Sequence, residues 1–195
     1  MNSVPTQSVP ATSLETPLVN ARRFGQGLAV IRVFFGLIIF ANGLAKLDAS
    51  WAQIDIGAYH ANLITRQGAR NILNFEVNQR QISKTQPPGT QLPYLRHVVN
   101  SVVLDHWNIF QWVTIAIEVG AGALLILGLA SRLAALADLG QQLFLALVYL
   151  SSNRWLFEQP HEYVPLIVLA LVPAGRIWGL DARLVRTTAW RRWPF

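Results

Sequence analysis

The sequence predicts an all-α integral membrane protein, a four-helix bundle with an extracytoplasmic helical insertion between its first and second helices. Of the 195 residues, 52% are hydrophobic and only 13% are charged, whereas a soluble domain carries about 25% charged residues. A membrane helix needs about 20 apolar residues to cross the hydrocarbon layer. Four stretches come close to that length, at about 27–47, 109–130, 133–150 and 163–180.

The first span carries an arginine inside an otherwise apolar helix. No other charge lies between Arg32 and Lys46, and a charge within the membrane is costly unless it is paired or reaches the interface. The later spans each contain or adjoin one acidic residue that can supply a partner; these are Glu118, Asp138 and Glu162. We therefore expect Arg32 to be paired across the bundle.

Depth along the helices indicates which acid pairs with Arg32. Arg32 and Asp138 lie at similar distances from the inner ends of their helices, at a rise of about 1.5 Å per residue, whereas Glu118 lies nearer the middle of the membrane. We predict a structural ion pair between Arg32 and Asp138, with Glu118 left as the isolated acid. A low dielectric favours the protonated form of an isolated carboxyl group, which suits Glu118, with Arg32, to a catalytic role beside a quinone. The alternative is a network that only fixes packing.

Polar residues at the outer ends of the first and fourth spans predict a substrate site. Lys46 ends the first span, and Glu162 begins the fourth. Glu162 either stabilises the positive end of its helix dipole or forms an ion pair with Lys46 at the rim of a site that faces outward. Asn42 lies one turn below Lys46 and can add a hydrogen bond.

The connection 48–108 is too long for a plain loop, and two parts of it have helical character. Residues 51–75 are mildly amphipathic, and residues 94–107 place aliphatic side chains at helical spacing. The KTQPPGT stretch between them has two prolines and a glycine, which end helices. We expect a cap on the outer membrane surface that either only shields the bundle or also contacts a partner subunit.

The ends of the chain differ in composition from the membrane domain, which we assign to residues 21–182. Residues 1–20 are rich in Ser, Thr and Pro and predict a disordered tail, and residues 183–195 form a basic C-terminal tail. The net charge is +6, and arginines are densest near the span ends on the side of both termini. By the positive-inside rule, we expect both termini in the cytoplasm.

The composition also excludes several kinds of chemistry. The chain has no cysteine, which removes disulfides, thiolate nucleophiles and cysteine-bound iron–sulfur clusters. None of the four histidines lies in the middle of a span, and no metal-binding spacing occurs, so we expect neither haem nor a bound metal. The sequence has no signature of nucleic-acid binding, and we expect the lipid bilayer to surround the chain.

Three motifs, taken in order, carry a family resemblance. The first is Arg32-x3-Gly36-x3-Phe40-x2-Gly43-x2-Lys46-Leu47. The second is Glu118 with the run GAGALLILGLASRLAA that follows Val119, and the third combines Asn153-Arg154-Trp155, His161-Glu162, Gly175-Arg176 and Leu180-Asp181. Together, over about 23–181, they resemble the DoxX/DoxD family of small four-helix membrane proteins.

That resemblance implies a bacterial or archaeal cytoplasmic-membrane protein connected with redox chemistry. The namesake relatives are subunits of a thiosulfate:quinone oxidoreductase. By this resemblance a quinone is the cofactor, and Arg32 and Glu118 serve the quinone and its protons. Lys46 and Arg154 then attract a sulfur oxyanion such as thiosulfate at the outer face.

Two other functions stay open as alternatives. A non-catalytic accessory subunit of a larger respiratory or photosynthetic complex uses the same helices and cap, and the lack of a visible electron carrier favours it. For either function we expect other membrane or extracytoplasmic subunits as partners. A small transporter is a third alternative, which the lack of an evident internal repeat opposes.

Overall fold

The computed structural model describes residues 21–81, 83–150 and 160–186. Within them the regular elements, in chain order, are α1 (Ala21–Leu47), β1 (Gln53–Ile56), β2 (Tyr59–Asn62), α2 (Arg66–Asn74), α3 (Pro93–Val98), α4 (Trp107–Leu127), α5 (Ser131–Leu150), α6 (Pro160–Leu171) and α7 (Asp181–Leu184). Short 3₁₀ turns occur at Ala49–Trp51 and Ala174–Arg176, and wider π turns at Phe75–Gln79 and Val99–Leu104. The predicted N-terminal tail and residues 187–195 of the basic tail lie outside the described residues, so these domain limits stay predictions.

Three helices of the described chain, α1, α4 and α5, are long and apolar enough to cross a membrane. They overlap the first three predicted spans, and each begins two to six residues earlier than predicted. Gly128 follows α4 at a φ of 63°, a left-handed conformation that glycine adopts without strain at the end of a helix. The chain is therefore a multi-pass, all-α membrane protein.

The fourth predicted span, 163–180, is wrong in its extent. The described part of α6, Pro160–Leu171, ends at Leu171, nine residues before the predicted end of the span at 180. Pro173 follows, and a proline lacks the N–H group that would continue the helix. The chain then turns through Ala174–Arg176 and reaches α7. α6 nevertheless packs against α5 and α1.

The bundle has two chemically different ends. α1 packs on α4, α4 on α5 and α5 on α6, around a core that includes Leu28, Ile39, Leu125, Leu166 and Leu169. The connection 48–108 lies at the end that we call the insertion end. The turn between α4 and α5 and the connection from α6 to α7 lie at the other end, which we call the basic end after its arginines.

α1 and α4 approach each other closely at glycines. A Cβ atom added at Gly43 would lie 2.8 Å from the backbone nitrogen of Val119. One added at Gly122 would lie 2.6 Å from the backbone nitrogen of Phe40. Contacts this short do not occur between real Cβ atoms and backbone, so the two helices can be this close only because these positions have no side chain.

The helix predicted over residues 51–75 is wrong in its first part, where the insertion forms a β-hairpin. β1 and β2 form an antiparallel hairpin with Asp55 opposite His60. Gly57 begins its two-residue loop at a φ of 62°, and glycine at the first loop position suits a tight hairpin turn. A helix begins only after Thr65, whose hydroxyl accepts a hydrogen bond from the backbone N–H of Gly68 at 3.1 Å.

The helix predicted over residues 94–107 is confirmed. It consists of α3 and of the π turn Val99–Leu104 that continues it. The amide side chains of Asn78 and Asn100 exchange two hydrogen bonds, of 2.8 and 3.0 Å, and join the two halves of the insertion. A small core fixes the insertion to the bundle through Val99 in the insertion, Trp107 of α4 and Val148 of α5. The insertion is therefore a cap packed on one end of the helices.

Candidate functional site

A cavity of about 900 Å³ lies between α1, α4, α5 and α6 and extends under the insertion. Most of its wall is aliphatic or aromatic, and Trp107 forms part of it. Its ammonium, carboxyl, amide and imidazole side chains belong to Asn42, Lys46, Glu118, Asp138, Gln141, Gln142, His161 and Glu162. The cavity therefore combines a hydrophobic wall with a concentrated group of polar side chains.

A buried ion pair joins α1 and α4 in the cavity wall. Lys46 Nζ lies 2.8 Å from Glu118 Oε2, and the two side chains are 7% and 8% exposed. Gln141 of α5 donates from Nε2 to the other carboxylate oxygen, Oε1, at 2.8 Å. Both oxygens of Glu118 thus have partners, so the prediction that Glu118 is the isolated acid is wrong.

Asp138 of α5 is the carboxyl group without a partner. It is fully buried and faces the cavity, and no described group forms a hydrogen bond with either of its carboxyl oxygens. The Gln142 amide, one turn along α5, is close enough to act on the Asp138 carboxyl group as a weak hydrogen-bond neighbour, and Glu118, Glu162 and Lys46 act on it through space. A buried polar group without a partner is destabilising, so Asp138 marks a place where a ligand group would be stabilised.

The predicted ion pair between Arg32 and Asp138 is not formed. Arg32 is fully buried, but its guanidinium group extends toward the basic end. There Nη1 donates to the carbonyl oxygen of Ala174 at 3.2 Å, and Nη2 donates to that of Trp178 at 3.3 Å. The physical reason is the length of the side chain, which carries the charge to backbone carbonyls and to the field of Asp181.

Asp181 organises the basic end around that guanidinium. Its carboxylate accepts hydrogen bonds from the backbone of Ala130 at 2.7 Å, and from the backbone and the hydroxyl of Ser131 at 3.2 and 2.9 Å. These bonds satisfy N–H groups at the start of α5 that have no partner within the helix. Gly128 and Gly179 leave room for the guanidinium, because a Cβ atom at either would clash with it.

The insertion end of the cavity is lined by His161 and Glu162 at the start of α6. Nε2 of His161 lies 3.9 Å from Oε1 of Glu162, and the two side chains are 70% and 42% exposed. Glu162 lies in the first turn of its helix, the position favoured by the helix dipole, and Lys46 pairs with Glu118 instead. The Asn42 amide donates to the carbonyl oxygen of Ile38 at 3.1 Å.

The structure thus brings most of the predicted site residues to one cavity and separates one from it. Asn42, Lys46, Glu118 and Glu162 share the wall, whereas Arg32 lies at the basic end and Arg154 lies outside the described residues. The sequence did not predict the roles of two further residues, Gln141 and Asp181. Gln141 is one of two adjacent glutamines in an apolar span, and this unusual pair of polar residues could have marked it as a site residue. For the capping role of Asp181, the sequence offers no signal beyond its place in a motif.

The fold and the cavity define a class: a multi-pass membrane protein with a cavity of about 900 Å³ inside its helix bundle. A family model described as DoxX matches residues 27–150, which include most of α1 and all of the insertion, α4 and α5. The match covers more than half of the 195-residue chain, so the chain belongs to the DoxX family. No curated protein and no solved structure matches it.

Proposed function

We propose that this chain is a DoxX-type membrane subunit of a quinone-linked oxidoreductase and that the quinone binds in the cavity. The observation that carries the proposal is a mostly apolar cavity of about 900 Å³ with a polar group of side chains in its wall. Ligand pockets have volumes of about 300–1,000 Å³ and are mostly apolar with a few polar groups that orient the ligand. A hydrophobic ring with two polar oxygens has the matching chemistry.

The polar side chains offer contacts for such oxygens. The ammonium group of Lys46 carries three donors; one reaches Glu118 at 2.8 Å, and another lies 3.5 Å from the carbonyl oxygen of Asn42. The remaining N–H of Lys46 and the second N–H of the Gln141 amide can bind a quinone oxygen. The aliphatic wall excludes water and holds the ring and the first part of its tail.

When bound, a quinone supplies an acceptor for two electrons and two protons. The chain has no cysteine, so we propose that the electrons come directly from the reductant or through a partner subunit. The reductant that the family resemblance favours is a sulfur oxyanion such as thiosulfate, which gives up electrons when two such ions join through a new S–S bond. Arg154 stays a predicted contributor to binding that anion.

We also propose the cytoplasmic membrane of a bacterium or archaeon as the location, with both termini in the cytoplasm. The support is the placement of arginine at the basic end, close to the ends of the apolar helices. Positively charged residues next to membrane spans are concentrated on the cytoplasmic side. The insertion end of the cavity then faces outward.

Quinone binding is tested with the purified full-length chain in lipid nanodiscs. A short-tailed naphthoquinone is added, and quenching of tryptophan fluorescence is measured, with Trp107→Phe to identify the signal from the cavity wall. Thr114→Trp fills the cavity and is expected to weaken binding at least about tenfold, which corresponds to about 1.4 kcal/mol. Ala116→Trp is the matched control, because Ala116 lies on the same helix and is exposed on its outer face.

Equal binding by the folded Thr114→Trp and Ala116→Trp variants would place the quinone elsewhere and contradict the proposal. A separate assay of quinone reduction with thiosulfate tests the reductant. If the quinone binds but thiosulfate does not reduce it, the quinone site stands and the reductant is a different one.

A second candidate, a non-catalytic accessory subunit, is favoured by the surface of the hairpin. Ile56 and Tyr59 at its loop are 69% and 68% exposed, and exposed apolar groups outside the membrane helices suit contact with a partner subunit. The double variant Ile56→Ser and Tyr59→Ser is expected to release such a partner during affinity purification from native membranes. If the unaltered chain binds no quinone and purifies with other subunits through this hairpin, the accessory function replaces the first proposal.

A further inference from the structure

The surroundings of Asp138 differ from those of every other buried carboxyl group in the described chain. Glu118 has a partner on each oxygen, Asp181 accepts three hydrogen bonds, and Glu76 pairs with Arg80 at 2.7 Å. Asp138 is fully buried in the cavity wall, and neither of its oxygens has a hydrogen bond. Asp138 is therefore the buried acid of the described chain that a new hydrogen bond from a ligand group would stabilise most.

The charged groups around Asp138 come from each of the other bundle helices. Glu118 of α4, Glu162 of α6 and Lys46 of α1 act on it, and Gln142 approaches it from its own helix. The ammonium group of Lys46 already has a carboxylate at 2.8 Å. Two other carboxyl groups act on Asp138 and the one nearby cation is already paired, so no described cation is left to pair with Asp138.

We propose that Asp138 is the catalytic residue that donates a proton to the quinone, an inference that rests on the proposed function. The O–H bond of the Asp138 carboxyl group breaks, and an O–H bond forms on the quinone oxygen that faces it. The two electrons come from the sulfur oxyanion proposed as reductant, and the second proton enters from solvent at the insertion end. Glu162, which is half buried there, is the acid through which Asp138 regains its proton.

In this proposal, the polar side chains of the cavity wall have different roles. The Lys46–Glu118 pair and Gln141 hold three helices together and present donors to one quinone oxygen. Asp138 lies on the neighbouring helix α5 and offers the proton to the ligand from that side. The apolar wall keeps bulk water away from the carboxyl group, so that proton transfer proceeds between Asp138 and the ligand.

The test uses the full-length chain in nanodiscs and reads the carboxyl group directly by infrared difference spectroscopy. Adding the short-tailed naphthoquinone is expected to shift the carbonyl stretch of a protonated carboxyl group, because that group becomes a hydrogen-bond donor. The shifted band is expected to be absent in Asp138→Asn and present at a different frequency in Asp138→Glu. Asp105→Asn is the matched control, because it changes an exposed aspartate of the insertion and is expected to keep the band.

Kinetics give the second readout. In Asp138→Asn the rate of quinone reduction is expected to fall about 100-fold, the usual contribution of a general acid, while the affinity for the quinone changes less than about threefold. Asp138→Glu is expected to recover part of the rate. A quinone that binds Asp138→Asn normally and shows the same band and rate would overturn the role of Asp138 and leave the proposed function intact. A quinone that fails to bind the unaltered chain would overturn both.

Discussion

Lys46 and Glu118 show at the level of single residues how charge is tolerated inside the bundle. Each side chain is less than a tenth exposed, and a buried charge is stabilised only by a well-placed partner and further hydrogen bonds. Gln141 supplies the additional bond to the carboxylate. The consequence is that neither member of the pair can be lost alone without a penalty.

The first prediction concerns that pair. Lys46→Met is expected to lower the free energy of unfolding by about 3–5 kcal/mol, because it leaves the Glu118 carboxylate buried without a cation. Adding Glu118→Leu is expected to recover most of the loss, since no charge then remains to be compensated. The measurement is thermal unfolding of the detergent-purified single and double variants.

An exposed hydrogen-bonded pair of side chains on the hairpin provides the control. Asp55 Oδ1 lies 2.7 Å from His60 Nδ1, and the side chains are 57% and 60% exposed. Asp55→Asn is expected to change stability by less than about 1 kcal/mol, because surface pairs are screened by solvent. A Lys46→Met variant as stable as Asp55→Asn would show that the buried pair contributes nothing to folding.

A second prediction at this scale concerns Asp181. Asp181→Ala removes three hydrogen bonds at the start of α5 and a negative charge near Arg32, and it is expected to lower the free energy of unfolding by about 3 kcal/mol. Ser131→Ala removes one of these bonds and also the bond from the Gly175 backbone N–H to the Ser131 hydroxyl at 3.1 Å, and it is expected to have a smaller effect of about 1–2 kcal/mol. Both are measured by thermal unfolding against Asp105→Ala, an exposed aspartate whose loss should be nearly neutral. Equal melting temperatures for Asp181→Ala and Asp105→Ala would contradict the capping role.

The same residues show what the sequence could and could not predict about the site. Composition and span position identify Arg32, Lys46, Glu118 and Asp138 as the important charges. They do not identify the pairs, because pairing depends on how each helix is rotated and on how far a long side chain reaches along it. Arg32 and Asp138 have similar depths, but the guanidinium group reaches 3.2 Å from the carbonyl oxygen of Ala174, a contact with a turn that the sequence did not reveal.

At the scale of elements, the contact between α1 and α4 gives the sharpest prediction. Gly122→Ala places a Cβ atom 2.6 Å from the backbone nitrogen of Phe40, so the helices must separate. We expect a loss of about 2 kcal/mol or more, typical of overpacking a tight core. Gly120→Ala on the same helix has nothing within 4 Å of the added Cβ and is expected to be neutral or slightly stabilising, because alanine favours helix more than glycine.

Both variants are compared by thermal unfolding, together with the wild-type chain. The pair is informative because the chemical change is the same and only the surroundings differ. If Gly120→Ala destabilises the protein as much as Gly122→Ala does, helix propensity or membrane insertion is responsible, and the close approach of α1 and α4 is not.

Element prediction from the sequence succeeds where the hydrophobic signal is long and fails where it is short. α1, α4 and α5 have continuous apolar runs, which determine a membrane helix almost regardless of context. The hairpin at 53–62 was missed because its alternating Ile54 and Ile56 form only a brief strand pattern inside an otherwise helical composition. α6 was extended too far because apolar residues continue beyond Pro173, although the proline ends the helix.

At the scale of the whole molecule, the two ends of the bundle have opposite tasks. The basic end fixes α1 to the turns around α5 and α7 through Arg32 and Asp181. The insertion end contains the cavity, whose wall is completed by the cap. The exposed side chains of His161 and Glu162 lie at the cavity end, whereas buried hydrogen bonds join the elements at the basic end.

The last prediction concerns the orientation of this arrangement in the membrane. The described arginines at the basic end are Arg22, Arg23, Arg132, Arg176, Arg183 and Arg186. They lie next to the ends of apolar helices, where positive charge favours the cytoplasm, whereas the cations of the insertion are spread along a long segment. We therefore expect the insertion to be outside and both termini inside.

The absence of cysteine from the sequence makes this prediction easy to test by single-cysteine labelling. Tyr94→Cys lies on α3 of the insertion at a position that is 81% exposed, and Arg183→Cys lies on α7 at an exposed position of the basic end. An impermeant maleimide added to intact cells is expected to label Tyr94→Cys, and to label Arg183→Cys only after the membrane is permeabilised. The unsubstituted chain should remain unlabelled in both conditions. The reverse pattern would turn the cavity toward the cytoplasm, so the reductant would have to be a cytoplasmic one and Asp138 would take its protons from that side.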